Sequence, residues 1–192
     1  MPTYAGVGSR ETPPEICEII IRLGKVLCDL GWTGWSGEAP GADYWFHYGA
    51  KQSKRYDEVK FVAIIPWQGF KTEGDKPVYS KPGNNIYLFD AANVSKKAYC
   101  LGVGARGTGA GLKRGGITLH SRNALQVLGW DLKSPVKMVI AWSKLDKHGR
   151  PTGGTATAIN LATHLKIDVI NLYTEEGLDR AMTFLDKHEA AA

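Results

Sequence analysis

Residues 36–43 read Ser36-Gly37-Glu38-Ala39-Pro40-Gly41-Ala42-Asp43, and the chain runs on through His47 to Gly49 and Ala50. A short β-type stretch, Thr33 to Ser36, breaks into glycine here just where a helical pattern begins. Thirty residues upstream, Tyr4-Ala5-Gly6-Val7-Gly8-Ser9-Arg10 carries the same signal. Glycine permits positive φ and lets a ligand approach the main chain closely. The first turn of the helix that follows offers unpaired N–H groups and the positive end of its dipole, which suits phosphate. A third turn of this kind, Thr152-Gly153-Gly154-Thr155-Ala156-Thr157, lies between a strand pattern and a helix pattern. Read as a plain loop it is a tight turn with a Thr cap. Its two glycines and three hydroxyl side chains can equally supply N–H and O–H donors to phosphate.

Outward from these turns, strand and helix patterns alternate. Thr3 to Val7 reads as a buried strand. A helix follows from Pro13 or Pro14 to Asp29, with proline in its first turn and Thr12 as its cap. Ile16, Ile20, Leu23, Leu27 and Leu30 recur at the helical period, and Gly31 ends the run. Further strands are expected at Thr33–Ser36, Lys60–Ile65, Val136–Trp142 and Asp168–Leu172. Helices are expected over 41–52, 90–101, 119–128, 154–165 and 175–187. This order implies a parallel sheet of about five strands covered by helices on both faces. Right-handed crossovers then bring every strand-to-helix turn to one edge, where ligands bind near the point at which strand order reverses. The chain reads as a single domain over 1–192, with an irregular insertion around 67–116.

Composition is that of a globular chain: 192 residues, 43% hydrophobic and 22% charged. No apolar run approaches the ~18–20 residues that span a bilayer, so no membrane partner is expected. The N-terminus lacks the basic and apolar regions of a signal peptide, and the expected location is the cytoplasm. Cys17, Cys28 and Cys100 have no metal-ligand spacing. Neither a metal site nor a cofactor is expected. The net charge of +5 fits an anionic partner, although scattered surface lysines would give the same figure.

The three turns resemble a family. Gly6-Val7-Gly8-Ser9-Arg10, Ser36 through Asp43 and His47-Tyr48-Gly49-Ala50 are similar to the signature of the DNA-processing protein A (DprA) Rossmann domain. That domain belongs to the SLOG superfamily, with the LOG-type (lysine-decarboxylase-like) nucleotide phosphoribohydrolases. Gly153 to Thr157 resembles the Pro-Gly-Gly-x-Gly-Thr turn of the LOG enzymes. Arg122-Asn123-Ala124-Leu125-Gln126-Val127-Leu128-Gly129 and Trp142 resemble compact DprA-like proteins often encoded by phages. The resemblance implies a Rossmann-like fold. There are departures. The LOG enzymes carry a catalytic Glu three residues past the turn's Thr, where this chain has Asn160; Thr152 replaces the Pro, and Ala156 the middle Gly. The Arg usual between Ala and Gly in DprA is Pro40.

Three functions follow as expectations. The first is binding, and sequestration, of a nucleotide or nucleotide-derived signalling molecule. Its phosphates would lie on Gly8, Ser9 and Arg10, on Ser36, Gly37, Glu38, Gly41 and Asp43, and on Gly153, Gly154, Thr155 and Thr157. Trp67 and Trp142 are candidates for stacking the base, and core or rim packing is the plainer use of both. The second is an N-glycosidase or phosphoribohydrolase in which Glu38 (the candidate catalytic residue) or Glu73 replaces the missing carboxylate. Glu38 can also bind ribose hydroxyls or stay exposed. Asp43 is expected to order its turn by accepting backbone N–H bonds, and His47, one helical turn on, to pack or cap. The third, implied by the DprA resemblance, is single-stranded DNA binding, with Arg106, Lys113 and Arg114 on phosphates. A homo-oligomer, most simply a symmetric dimer, is expected from the many aromatic residues, above all in the segment Trp67–Phe89.

Overall fold

The computed structural model describes residues 1–57, 61–89, 98, 101–102, 104–105, 107 and 111–189. The expected helix over 90–101 falls largely outside these residues, as do Lys60, Cys100, Arg106 and the C-terminal Ala190–Ala192.

Six parallel strands form the main sheet: β1 (Thr3–Gly8), β2 (Thr33–Ser36), β3 (Phe61–Ile65), β6 (Ile86–Leu88), β7 (Met138–Trp142) and β8 (Asp168–Asn171). Their order across the sheet is β6-β3-β2-β1-β7-β8. The chain therefore builds outward from β1 in one direction, crosses back, and continues on the other side of β1. The reversal lies between β1 and β7, which pair in register from Tyr4↔Met138 to Gly8↔Trp142. Parallel neighbours need crossovers. Helices α1 (Pro14–Asp29), α2 (Ala42–Lys51), α3 (Arg114–Leu128) and α4 (Ala156–His164) lie on these crossovers, and α5 (Glu175–His188) follows β8.

Successive residues of a strand face opposite sides of a sheet, and β1 divides the core accordingly. Tyr4 joins Ile20, Leu23, Leu27, Phe46, Phe61 and Ile140 under α1, α2 and α5. Ala5 and Val7 join Ile64, Leu125, Val139 and Ile159 under α3 and α4. The helical period read in α1 is the buried face of that helix, with Ile16, Ile20, Leu23 and Leu27 inside, whereas Leu30 is exposed.

Three expectations need correction. The sheet has six strands, not about five, because β6 lies inside the stretch read as irregular insertion. That stretch also holds the two-stranded ribbon β4 (Phe70–Lys71) and β5 (Pro77–Val78). Strands of two or three residues are too short to display a period. Helix α3 starts at Arg114, five residues before the expected Leu119, since Gly115 and Gly116 disguise its first turn. Thr12 does not cap α1: Pro13 occupies that position, and the Thr12 hydroxyl donates to the Ser9 carbonyl at 2.7 Å.

Candidate functional site

At the carboxyl ends of β1 and β7, where the strand order reverses, lies a cavity of about 480 Å³. Its size is that of a small-molecule site, and its place is where open α/β sheets bind ligands. Four segments wall it: Val7–Glu11 after β1, Trp142–Lys144 with Thr152–Thr155 after β7, Ala39 and Asp43 from the turn into α2, and one face of α3.

The turn after β7 is the open wall. A Cβ added at Gly153 or Gly154 would meet nothing within 4 Å, and Gly153 has φ +70°. The N–H groups of Gly153, Gly154 and Thr155 have no partner among the described residues. They stand at the start of α4, where the helix dipole favours negative charge. The turn is held from behind: Asn123 Nδ2 donates to the Gly154 carbonyl at 3.0 Å, and the Ser143 hydroxyl donates to the Thr152 carbonyl at 3.0 Å. Across from it, Arg10 is exposed and has no ion pair among the described residues. Lys144 pairs with Glu11 at 2.8 Å and lies 5.9 Å from the centre of the Trp142 ring. That ring is itself buried against the edge of Tyr173.

The turn between β2 and α2 is instead filled by protein. Gly41 has φ +82°, and a Cβ there would lie 2.4 Å from the Ser9 carbonyl. At Gly37 a Cβ would lie 1.7 Å from Arg122 Nη1. Ser36 donates its hydroxyl to the carbonyls of Gly6 and Asp43. Glu38, non-glycine at φ +57°, buries its carboxylate against His47 Nδ1. The far side of the His47 ring faces the Tyr56 hydroxyl at 3.2 Å, and the ring stacks on Phe61. Glu73, the other carboxylate considered for catalysis, accepts from the Gly41 N–H at 3.0 Å.

Asp43 joins the two halves. Its Oδ1 accepts from the Gly8 N–H at 2.9 Å, and its Oδ2 lies 3.7 Å from Arg122 Nη2. Burial pushes its carboxyl up to about 6, against the pull of Arg122 and of the Gly8 N–H. Burial likewise pulls the Arg122 guanidinium down, against Asp43. Arg122 donates to the carbonyls of Gly37 at 2.6 Å and Ile64 at 3.3 Å, closing the ends of β2 and β3.

Of the residues singled out in the sequence, Gly8, Ser9, Arg10, Asp43, Trp142, Gly153, Gly154 and Thr155 meet at the cavity wall. Ser36, Gly37, Glu38, Gly41, Thr157 and Trp67 stand off it. Thr157 Oγ1 is engaged with His120 Nδ1 at 2.6 Å, and Trp67 is 42% exposed, edge-on to Phe70. Asn160 is exposed and donates to the Ala105 carbonyl at 3.0 Å. Sequence reasoning missed the contribution of α3, whose His120, Arg122, Asn123 and Gln126 line the cavity. A signal was present: Gln126 sits between Leu125 and Val127 in a segment that is otherwise apolar through Leu128, where a polar residue needs a reason.

No family model and no curated protein matches the chain. Solved structures do. DNA processing protein A from Helicobacter pylori, described as binding single-stranded DNA, superposes with a TM-score of 0.56 at 16% identity, over 97% of this chain and 79% of that one. The molybdenum cofactor carrier protein from Chlamydomonas reinhardtii gives 0.49 at 19% identity, over 97% and 86%. The molybdenum cofactor binding protein from Rippkaea orientalis gives 0.42 at 14%, over 96% of each chain. The fold is thus Rossmann-like, of the kind seen in DNA processing protein A. Among the described residues no helix is long and apolar enough to cross a membrane.

Proposed function

We propose that the cleft between β1 and β7 binds a nucleotide or nucleotide-derived small molecule and retains it without turnover. The observation that carries this reading is the open turn at Gly153–Thr155. Three N–H groups there have no partner among the described residues, at a helix start beside a cleft that also holds Arg10 and Lys144. Phosphate is the ligand such a wall suits. Retention rather than hydrolysis follows from the carboxylates: Glu38 is committed to His47, Glu73 to Gly41, and Asn160 stands where the LOG enzymes carry Glu. Titration calorimetry against nucleoside mono-, di- and cyclic phosphates tests the reading. Saturable binding of at least one, with the nucleotide recovered intact, is expected. Heat-silent titrations throughout at millimolar ligand, or release of free base, would overturn it.

A second reading, single-stranded DNA binding, is favoured by one cluster at the start of α3. Lys113 and Arg114 open α3, and the exposed Trp67 ring lies 3.7 Å from where a Cβ of Gly115 would stand. Cations beside an exposed ring are the elements of a single-strand track. Gel shifts should then weaken steeply with salt, and no complex even at low salt would remove this reading. With either ligand we propose a homo-oligomer, since Trp67, Tyr79 and Tyr87 remain exposed on one segment. Light scattering at the 21.0 kDa monomer mass, with and without ligand, would contradict it.

A further inference from the structure

The cavity has a second polar feature, at the α3 wall, that phosphate binding leaves unused. Gln126 is fully buried, at 0% exposure, and lines the cavity. Both ends of its amide, Oε1 and Nε2, lack a hydrogen-bond partner among the described residues. One helical turn earlier on the same face, Arg122 lines the cavity too, and its Nε is unpartnered although its other nitrogens are engaged. Buried polar groups are almost always satisfied, and one left bare is costly. Here a donor and an acceptor on one planar amide are left bare together, beside the cavity.

We infer that Gln126 is the residue that reads the ligand's heterocycle, by pairing with an adjacent donor and acceptor on its edge. This rests on the phosphate reading above and adds to it: the open turn holds the phosphate, and α3 holds the base. An amide that can exchange the places of its oxygen and nitrogen fits the edge of adenine, guanine, cytosine or uracil. Gln126 therefore distinguishes a base from no base more than one base from another. A sugar phosphate, which has no such planar edge, leaves the amide as bare as before.

Calorimetry with AMP, GMP, CMP and UMP against ribose 5-phosphate, on wild type, Gln126→Leu and Gln126→Met, tests this. Leucine and methionine are close in size and carry no polar atom to strand, so thermal stability is expected to hold or rise. Wild type should bind at least one nucleotide about tenfold or more tighter than ribose 5-phosphate. Both variants should bring that ratio to within about threefold by weakening the nucleotide alone. A variant that folds and keeps the wild-type ratio overturns the inference. Equal wild-type binding of nucleotide and ribose 5-phosphate overturns it too, while leaving the phosphate reading standing. Binding of neither probe overturns the inference, and the phosphate reading falls with it only if the di- and cyclic phosphates are silent too.

Discussion

Two glycine-bearing turns on one sheet edge look alike in sequence and differ in what their glycines are for. In the turn from β2 into α2, Gly37 and Gly41 make room for protein: Arg122 on one side and the Ser9 carbonyl on the other. In the turn from β7 into α4, Gly153 and Gly154 face open space, and the N–H groups there have no partner among the described residues. Glycine is needed wherever backbone must be approached closely, whether by a ligand or by the protein's own next layer. The first turn is a joint that sets the cleft's shape, and the second is the contact surface we propose for the ligand.

That contrast is broken most severely at Gly41. Alanine there would combine a backbone conformation reserved for glycine with a contact 2.4 Å from a main-chain oxygen that cannot swing away. Gly41→Ala should cost about 4 kcal/mol in urea denaturation, or yield no folded protein. A loss under about 1 kcal/mol would mean that the joint is soft. Arg122→Met comes next. It strips the carbonyls of Gly37 and Ile64 of a donor and leaves Asp43 buried without its cation, so a loss of about 3 kcal/mol is expected.

Asp43 gives a smaller effect, with a definite sign. Its folded carboxyl titrates at about 6, whereas in the unfolded chain it titrates near ~4. The folded state therefore holds its proton to higher pH. The stability this group contributes is full below ~4 and is lost as pH rises to about 6, by on the order of 2 kcal/mol. Urea denaturation from pH 3.5 to 7 should show this fall, and Asp43→Asn should flatten it; an unchanged slope in the variant would contradict the assignment.

The alternation of strands and helices was legible because α1 and the central strands are long enough to show their periods. The joint and the contact surface were not distinguishable, because sequence shows where glycine stands and not what approaches it. Glu38 illustrates the same gap. A carboxylate in a glycine turn reads as chemistry until the tertiary contact with His47, nine residues on, is known. The α3 wall was the least legible part, since its site residues come from a helix interior, where no turn residue marks them. β6 was missed for its length alone.

The smallest expected stability effect belongs to the contact surface. Gly154→Ala adds a methyl group to open space and should change stability by no more than about 0.5 kcal/mol. Nucleotide affinity should nonetheless fall about tenfold, because that methyl narrows the phosphate's approach to the N–H groups. Unchanged affinity in calorimetry would place the ligand elsewhere.

The most direct test of the contrast is an amide NMR titration with the nucleoside monophosphate that binds tightest. Large shift changes are expected at the N–H groups of Gly153, Gly154 and Thr155, with Gly37, Glu38 and Gly41 nearly still. Changes centred on Gly37–Gly41 with a silent Gly153–Thr155 turn would contradict the account.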